Sequence, residues 1–390
     1  MAAARPPRKD FLVFGAPLIE QPEVDEVLAT LKSGWLGTGP RVAAFEKQFA
    51  AYEGVPEAAA LNSCTAALHL SILAAGIGPG DEVITTPMTF CATVNTILHA
   101  GATPVLADVD PRTQNIDPDE VADKVTSRTK AILPVHFAGR ACDMDGLMRI
   151  AEAEELQVIE DCAHAIETTY KGRKAGTFGD FGCFSFYATK NVATGEGGMA
   201  LAKDPEKLAR LRILGLHGMS RDAWKRFGSS GYKHYQVVEF GFKYNMMDLQ
   251  AAIGIHQLER VDQNWTKREK LWRLYDQHLK GTGLGLPAPP EGGTKHAYHL
   301  YTVMVDEAEL GVSRDAFLGS MAKQKIGVGV HYQSVPEHPV YQDRLGWDAK
   351  RWPNALRLGQ QTVSLPLSPK MTEDDVLDVV AAVRVTLGQA

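Results

Sequence analysis

No two of the five cysteines (Cys64, Cys91, Cys142, Cys162 and Cys183) stand in a CxxC spacing, and no Cys/His spacing suits a metal. An odd number of thiols without such spacing argues against a disulfide framework and a structural zinc, and predicts reduced thiols in a cytoplasm with no bound metal. A long basic run is also missing. With a net charge of -6 and a pI near 6.1, the chain has no electrostatic footprint for nucleic acid or an anionic membrane, which leaves a small molecule as the expected partner. The start, MAAARPPRKDF, carries positive charge but no apolar stretch of signal-peptide length follows it, and no apolar run is long enough to span a bilayer. Internal repeats are absent, and the one biased segment is the Gly/Pro-rich connector GTGLGLPAPPEGG.

What is present reads as an ordinary globular chain. Its 390 residues exceed the usual size of a single core, so roughly two domains are expected. PEVDEVLATLK (22–32) has helical spacing and is broken by GWLGTGP. Short apolar segments then alternate with helical ones: AAALN (58–62), DEVITTP, ATPVLADVD (102–110), KAILPVHFAG (130–139), QVIEDCAH (157–164) and FGCFSFY (181–187). Unalternating strands between helices predict an α/β fold, a mostly parallel central sheet sandwiched by helices. After residue 262 the pattern changes to a charged helical stretch, the connector, strand-like AYHLYTVMV and GVGVHY, and a last helix EDDVLDVVAAVRVTL. The expected division is an N-terminal arm and helix over 1–30, a large domain over 31–262 and a smaller C-terminal α+β domain over 263–390.

In a parallel sheet, ligands gather beyond the strand C-termini. Asp161 ends QVIED, and Lys190 follows FGCFSFY in the segment CFSFYATKN (183–191). A desolvated lysine can condense with an aldehyde as a Schiff base, and a facing aspartate is the partner of a pyridinium nitrogen. The pair suggests pyridoxal phosphate, although any single Asp and Lys would more often be an ion pair or solvated charges. Ser63-Cys64-Thr65, between a strand and a helix, offers backbone N–H groups to a phosphate, or only an N-cap. Ser185 is a phosphate ligand or an ordinary strand serine. Phe90, ending ITTPMTF, is a stacking ring or core, and His164 a partner of the cofactor's phenolic oxygen or structural. His296 and His299 form an HxxH without a third ligand and are taken as structural.

NSCTAAL, PMTFCAT, PVHFAG, EDCAHAIETTYKGRKAGTFGDFGCFSFYATKN, GEGG and GFKYNMMDLQAAIG together resemble the DegT/DnrJ/EryC1/StrS sugar aminotransferases, in order and spacing, from about Pro17 to the C-terminus. The resemblance implies the pyridoxal-phosphate transferase fold of type I, like that of aspartate aminotransferase. It implies Lys190 as the cofactor lysine and proton shuttle, Asp161 on the pyridine nitrogen, Phe90 as the stacking ring and His164 beside the ring hydroxyl. Ser185 and the backbone at Cys64 and Thr65 match the phosphate site, and Asn245 matches an asparagine that reaches the phosphate from the neighbouring subunit of a homodimer. Cys64 stands where many members have glycine, and Phe90 where some have tryptophan. Lysine at 190, where related dehydratases have histidine, favours transamination. The subfamily resemblance implies amino transfer from L-glutamate to C4 of a nucleotide-linked 4-keto sugar, as in UDP-4-amino-4-deoxy-arabinose synthases, with His331 on the substrate side. The alternatives are a C3 keto-sugar or scyllo-inosose aminotransferase, and a non-catalytic binder of the cofactor or of a nucleotide sugar.

Overall fold

The computed structural model describes residues 5, 8–220 and 235–389. The remaining residues of the expected arm, and part of segment 199–244, which the family resemblance implies crosses to the partner subunit, lie outside that range. Four short strands whose residues are nearly all buried open the main sheet: β1 (Ala59–Leu61), β2 (Glu82–Thr85), β3 (Thr103–Leu106) and β4 (Thr129–Leu133). After β5 (Gln157–Asp161) the chain makes a small hairpin, β6 (Thr169–Tyr170) and β7 (Arg173–Lys174), then returns as β8 (Phe181–Ser185) and β9 (Gly198–Ala202). The seven-stranded order is β1-β9-β8-β5-β4-β2-β3. β9 runs antiparallel to both of its neighbours, and the pairings from β8 to β3 are parallel. The mostly parallel sheet is therefore as expected, but β9 was not foreseen, because GEGG hides the start of a buried strand behind two helix- and strand-breaking glycines.

Helices α1 (Gln21–Ser33), α2 (Pro40–Glu53), α3 (Cys64–Ala74), α4 (Cys91–His99), α5 (Pro118–Ala122), α6 (Met144–Ala153), α7 (Pro205–Gly215) and α8 (Asp248–Glu259) surround this sheet. α3 is apolar on every side and nine of its residues are buried, as a helix enclosed between a sheet and other helices must be. On the other side Phe45 and Phe49 of α2 pack against Phe184 and Phe186, with ring centroids 5.0–5.6 Å apart for the closest pairs. The division at 30/31 falls inside α1.

The long helix α9 (Val261–Leu279) continues unbroken across 262/263 and carries the chain into the smaller unit. There β10 (Thr294–Lys295) joins the β6–β7 hairpin, and β11 (Tyr301–Met304) pairs antiparallel with β12 (Thr362–Leu365). α10 (Glu307–Leu310), α11 (Arg314–Lys323), α12 (Pro339–Leu345), α13 (Pro353–Gln361) and α14 (Glu373–Thr386) complete it. Its core joins Leu271, Trp272 and Tyr275 of α9 to Tyr301, Val363 and Val379. GVGVHY (327–332) forms no strand, contrary to expectation. Only single bridges occur there, Gly329 to Ser364 within it and Ile326 to Leu12 just before it, and a Cβ at Gly327 would stand 2.8 Å from the Leu12 carbonyl oxygen. The N-terminal arm thus lies against the small unit, where Arg8 is ion-paired with Asp375 and Asp378 of α14. No helix among the described residues is long and apolar enough to cross a membrane.

Candidate active site

Because β5 and β8 are parallel neighbours with Asp161 opposite Cys183, both strands end at the same edge of the sheet. A cavity of about 490 Å³ opens there, lined by Cys64, Thr65, Phe90, Asp161, His164, Ser185, Lys190 and His331 among others. Eight of the nine residues singled out in the sequence therefore meet at one place. Asn245 does not: its amide donates to Thr38 Oγ1 at 2.6 Å and its carbonyl accepts from Lys243 Nζ at 2.6 Å, outside the cavity lining of its own protomer.

Asp161 is 4% exposed. One carboxylate oxygen accepts from Thr93 Oγ1 at 2.9 Å, the other from the Ala163 N–H at 3.1 Å, with the Cys64 sulfur 4.0 Å away. Burial raises its pKa; the Ala163 N–H, Thr93 and the charge of Lys190 pull it back without cancelling the rise. A buried anion that is hydrogen-bonded but not fully neutralised is suited to a cationic N–H. Lys190 lies on the loop between β8 and β9, its N–H bonded to the Tyr187 carbonyl at 2.8 Å. Burial brings its amine down to about 8, against the opposing pull of Cys64 and Asp161. About a tenth of such amines are neutral at pH 7, far more than for a solvated lysine.

One end of the cavity lies at the start of α3. Ser63 is its N-cap and its hydroxyl accepts the Ala66 N–H at 3.1 Å, so this serine serves the helix while the first-turn N–H groups of Cys64 and Thr65 stay at the positive helix end. Gly198 explains the second half of GEGG. A Cβ there would lie 2.4 Å from Ser63 C and 2.5 Å from Cys64 N, so only glycine lets β9 pass beneath this turn. Ser185, the last residue of β8, points its hydroxyl to the Tyr187 N–H at a loose 3.4 Å.

Phe90 is not at a strand end. β2 stops at Thr85, Pro87 cannot supply a ladder N–H, and Phe90 is the N-cap of α4, with its ring 57% exposed at the cavity edge and 5.9 Å from that of Tyr332. His164 accepts the Ala138 N–H at Nδ1 (3.2 Å), so Nε2 bears the proton and donates to the Tyr332 hydroxyl at 3.0 Å. Burial holds its pKa well below the ordinary value, with Lys190 acting in the same sense. His331 bonds Ser364 Oγ at 2.8 Å, stacks on Phe14 at 5.4 Å, and is lowered to about 4 by burial and by Lys190.

The sequence reading missed Thr93 and Tyr332 and took His299 as structural only. Thr93 orients Asp161, Tyr332 adds a hydroxyl, and the His299 ring lies tilted against His164 with centroids 4.5 Å apart. All three lay inside quoted motifs, PMTFCAT, GVGVHY and AYHLYTVMV, whose neighbours only the folded chain reveals. His136, Glu160 and Cys162 also bring potential metal-ligating atoms within 4.8 Å of one another. The Glu160 oxygens, however, already accept from His136 and the N–H groups of Gly176, Phe178 and Gly179, and His136 Nδ1 accepts from the Cys142 N–H. This cluster braces the loop after β7.

Pyridoxal phosphate fits these residues: a helix N-terminus cleared by Gly198, a buried anion short of a cation, and an amine made nucleophilic by burial.

The sequence pattern of the DegT/DnrJ/EryC1/StrS aminotransferase family matches residues 17–384. SpsC of Bacillus subtilis, a spore coat polysaccharide biosynthesis protein, is 50% identical over 379 residues, covering 97% of each chain. Spr1654 of Streptococcus pneumoniae in its PLP form is 32% identical with a TM-score of 0.90, covering 97% of this chain and 99% of that one. DesI, solved in the presence of its TDP-sugar product, is 31% identical with a TM-score of 0.86, covering 98% and 95%.

Proposed function

The chain belongs to the DegT/DnrJ/EryC1/StrS aminotransferase family and is a pyridoxal-phosphate-dependent sugar aminotransferase, and from that premise we propose that it moves the amino group of L-glutamate to C4 of a nucleotide-linked 4-keto sugar. The observation that carries this reading is the opening of one cavity onto both Lys190 and Asp161, next to the Cys64–Thr65 helix end. Bound there, the cofactor supplies an aldehyde that carries nitrogen and a ring that draws electrons from the carbon losing its proton. Asp161 holds the proton on the ring nitrogen. Lys190, partly neutral at working pH, takes a proton from one carbon and returns it to another. Because His164 donates into the Tyr332 oxygen, the Tyr332 proton is free to point into the cavity. Its phenol pKa is pushed up by burial, so it remains a donor. On this reading His331 and Phe90, both lining the cavity, meet the sugar. In support of a nucleotide-linked substrate, DesI was solved with a TDP-sugar product. We place the reaction in the cytoplasm, in keeping with five unpaired cysteines.

The test is a panel of UDP-, dTDP- and GDP-linked keto sugars with the keto group at C3 or C4, each offered with L-glutamate. A 4-amino product with stoichiometric 2-oxoglutarate is expected. Turnover confined to 3-keto sugars or to a keto cyclitol would replace the C4 reading.

The same reading includes a homodimer. Val24, Leu28 and Leu31 form an exposed apolar stripe on α1, continued by Trp35 and Leu36, while Phe240 is 98% exposed beside the exposed Val237 and Val238. A second copy would cover such surfaces and bring Asn245 to its partner's phosphate end. Lys190→Ala chains mixed and re-equilibrated with inactive Asn245→Asp chains are then expected to regain up to about half of native activity per heterodimer, since one site is wholly native. No recovery from that mixture would confine the site to one subunit.

A further inference from the structure

Lys190 sits on a loop with no regular structure, and the next side chain fastens that loop to the rest of the molecule. Asn191 is buried; its Nδ2 donates to Glu167 Oε2 at 2.8 Å and to the Ala297 carbonyl at 3.1 Å, while its Oδ1 accepts from His299 Nδ1 at 2.9 Å. Glu167 has no exposure, and its other oxygen is ion-paired with the equally buried Arg268 of α9. His299 in turn lies against His164, which bonds Tyr332. A continuous buried path thus runs from α9 through Glu167 to Asn191. There it divides, one branch leading to Lys190 along the backbone and the other to the His299, His164 and Tyr332 side chains.

A buried Arg–Glu pair contributes little net stability, since desolvation offsets most of its Coulomb attraction, so its persistence here calls for a geometric reason. The reason lies in Asn191. Its amide can satisfy Glu167, Ala297 and His299 only in one orientation, and that orientation sets both branches at once. We propose that Glu167 and Asn191 are positioning residues of the transamination: together they fix the Lys190 amine and the His164–Tyr332 pair relative to each other and to α9, the helix that joins the two domains. The proposal rests on Lys190 being the cofactor lysine.

Three holoenzymes test it. Asn191→Ala cuts the path at its fork. Glu167→Gln/Arg268→Met removes both buried charges together, which avoids leaving a lone guanidinium in the core. Tyr275→Phe, which loses the hydroxyl bond to the Pro366 carbonyl in the small-domain core, is the control for lost stability alone. Each is reduced with borohydride and the label mapped by peptide mass spectrometry; each is titrated with pH by its visible cofactor absorbance; each is followed through the half-reaction with L-glutamate. The label is expected on Lys190 throughout. Asn191→Ala and the double variant are expected to move the titration midpoint by at least about half a pH unit and slow the half-reaction about 10- to 100-fold, the scale of a misplaced reacting group. Tyr275→Phe is expected to lower the melting temperature and change neither. If both path variants keep the native midpoint and a rate within about twofold, Glu167 and Asn191 are structural and the proposal fails. A label on another lysine overturns the Lys190 assignment, and this proposal with it.

Discussion

Lys190→Ala is expected to lower turnover by at least about 10³-fold while leaving a folded chain, because on the proposed reading one amine both anchors the cofactor and moves the proton. Folding should survive: Lys190 belongs to the loop after β8, and its main-chain bond to Tyr187 does not involve the side chain. The native protein gives the internal reference. With its amine brought down to about 8, the cofactor-free chain should take up pyridoxal phosphate faster as pH rises, with a midpoint near about 8, since only the neutral amine is nucleophilic. In the variant that pH-dependent step should vanish. Borohydride should attach the cofactor to Lys190 in the native chain. Turnover within tenfold of native, or a label recovered elsewhere, would show that another residue does this work.

Asp161→Asn is expected to cost about 10²-fold or more in rate, comparable to removing a preorganised charge-stabilising group from an active site, and to weaken cofactor binding as well. The substitution can be accommodated locally. The Ala163 N–H requires an acceptor, so the new amide oxygen must face it and the new NH₂ must turn toward Thr93, whose hydroxyl also bonds Thr89 at 2.8 Å. The geometry therefore survives and the charge does not. A neutral amide cannot keep the ring nitrogen protonated, so the loss should fall on the proton-transfer step. Steady-state rates with saturating cofactor separate this from weaker binding, and near-native rates would remove Asp161 from the pyridine.

Where the candidate site draws on residues close in sequence to a strand end, their meeting at one cavity was legible beforehand. Asp161 closes QVIED, Lys190 follows FGCFSFY, and Cys64 and Thr65 open a helix after AAALN, so a parallel sheet alone brings them to one edge. Phe90 failed in its local setting because Pro87 and the Thr86 hydroxyl, which accepts the Met88 N–H at 3.0 Å, divert the chain before the helix begins. The contributions of Tyr332 and His299 were hidden for a different reason. Both arrive from the part of the chain after α9, more than a hundred residues beyond Lys190, and nothing in local periodicity tells which way a returning chain will face. Asn245 illustrates a third limit, since it lies outside the cavity lining of its own protomer, and its proposed role depends on an assembly that a single chain does not contain.

The antiparallel insertion of β9 also sets the earliest point during synthesis at which the helix end at Ser63–Cys64 can be completed. β1 pairs with no main-sheet strand except β9, through Ala59–Ala200, Ala60–Met199 and Leu61–Gly198. The two partners are separated by well over a hundred residues, and closing so distant a pair is slow, whereas β2, β3 and β4 can associate from nearer segments. Until residue 202 has left the ribosome, β8 is an open edge and the turn at Ser63–Cys64 has no floor. The helix end that would take the phosphate is therefore completed only after β2, β3, β4, β5 and β8 have been made. Vitamin-derived cofactor arriving early would meet a nascent chain unable to retain it, and arriving later it would favour the closed sheet by mass action.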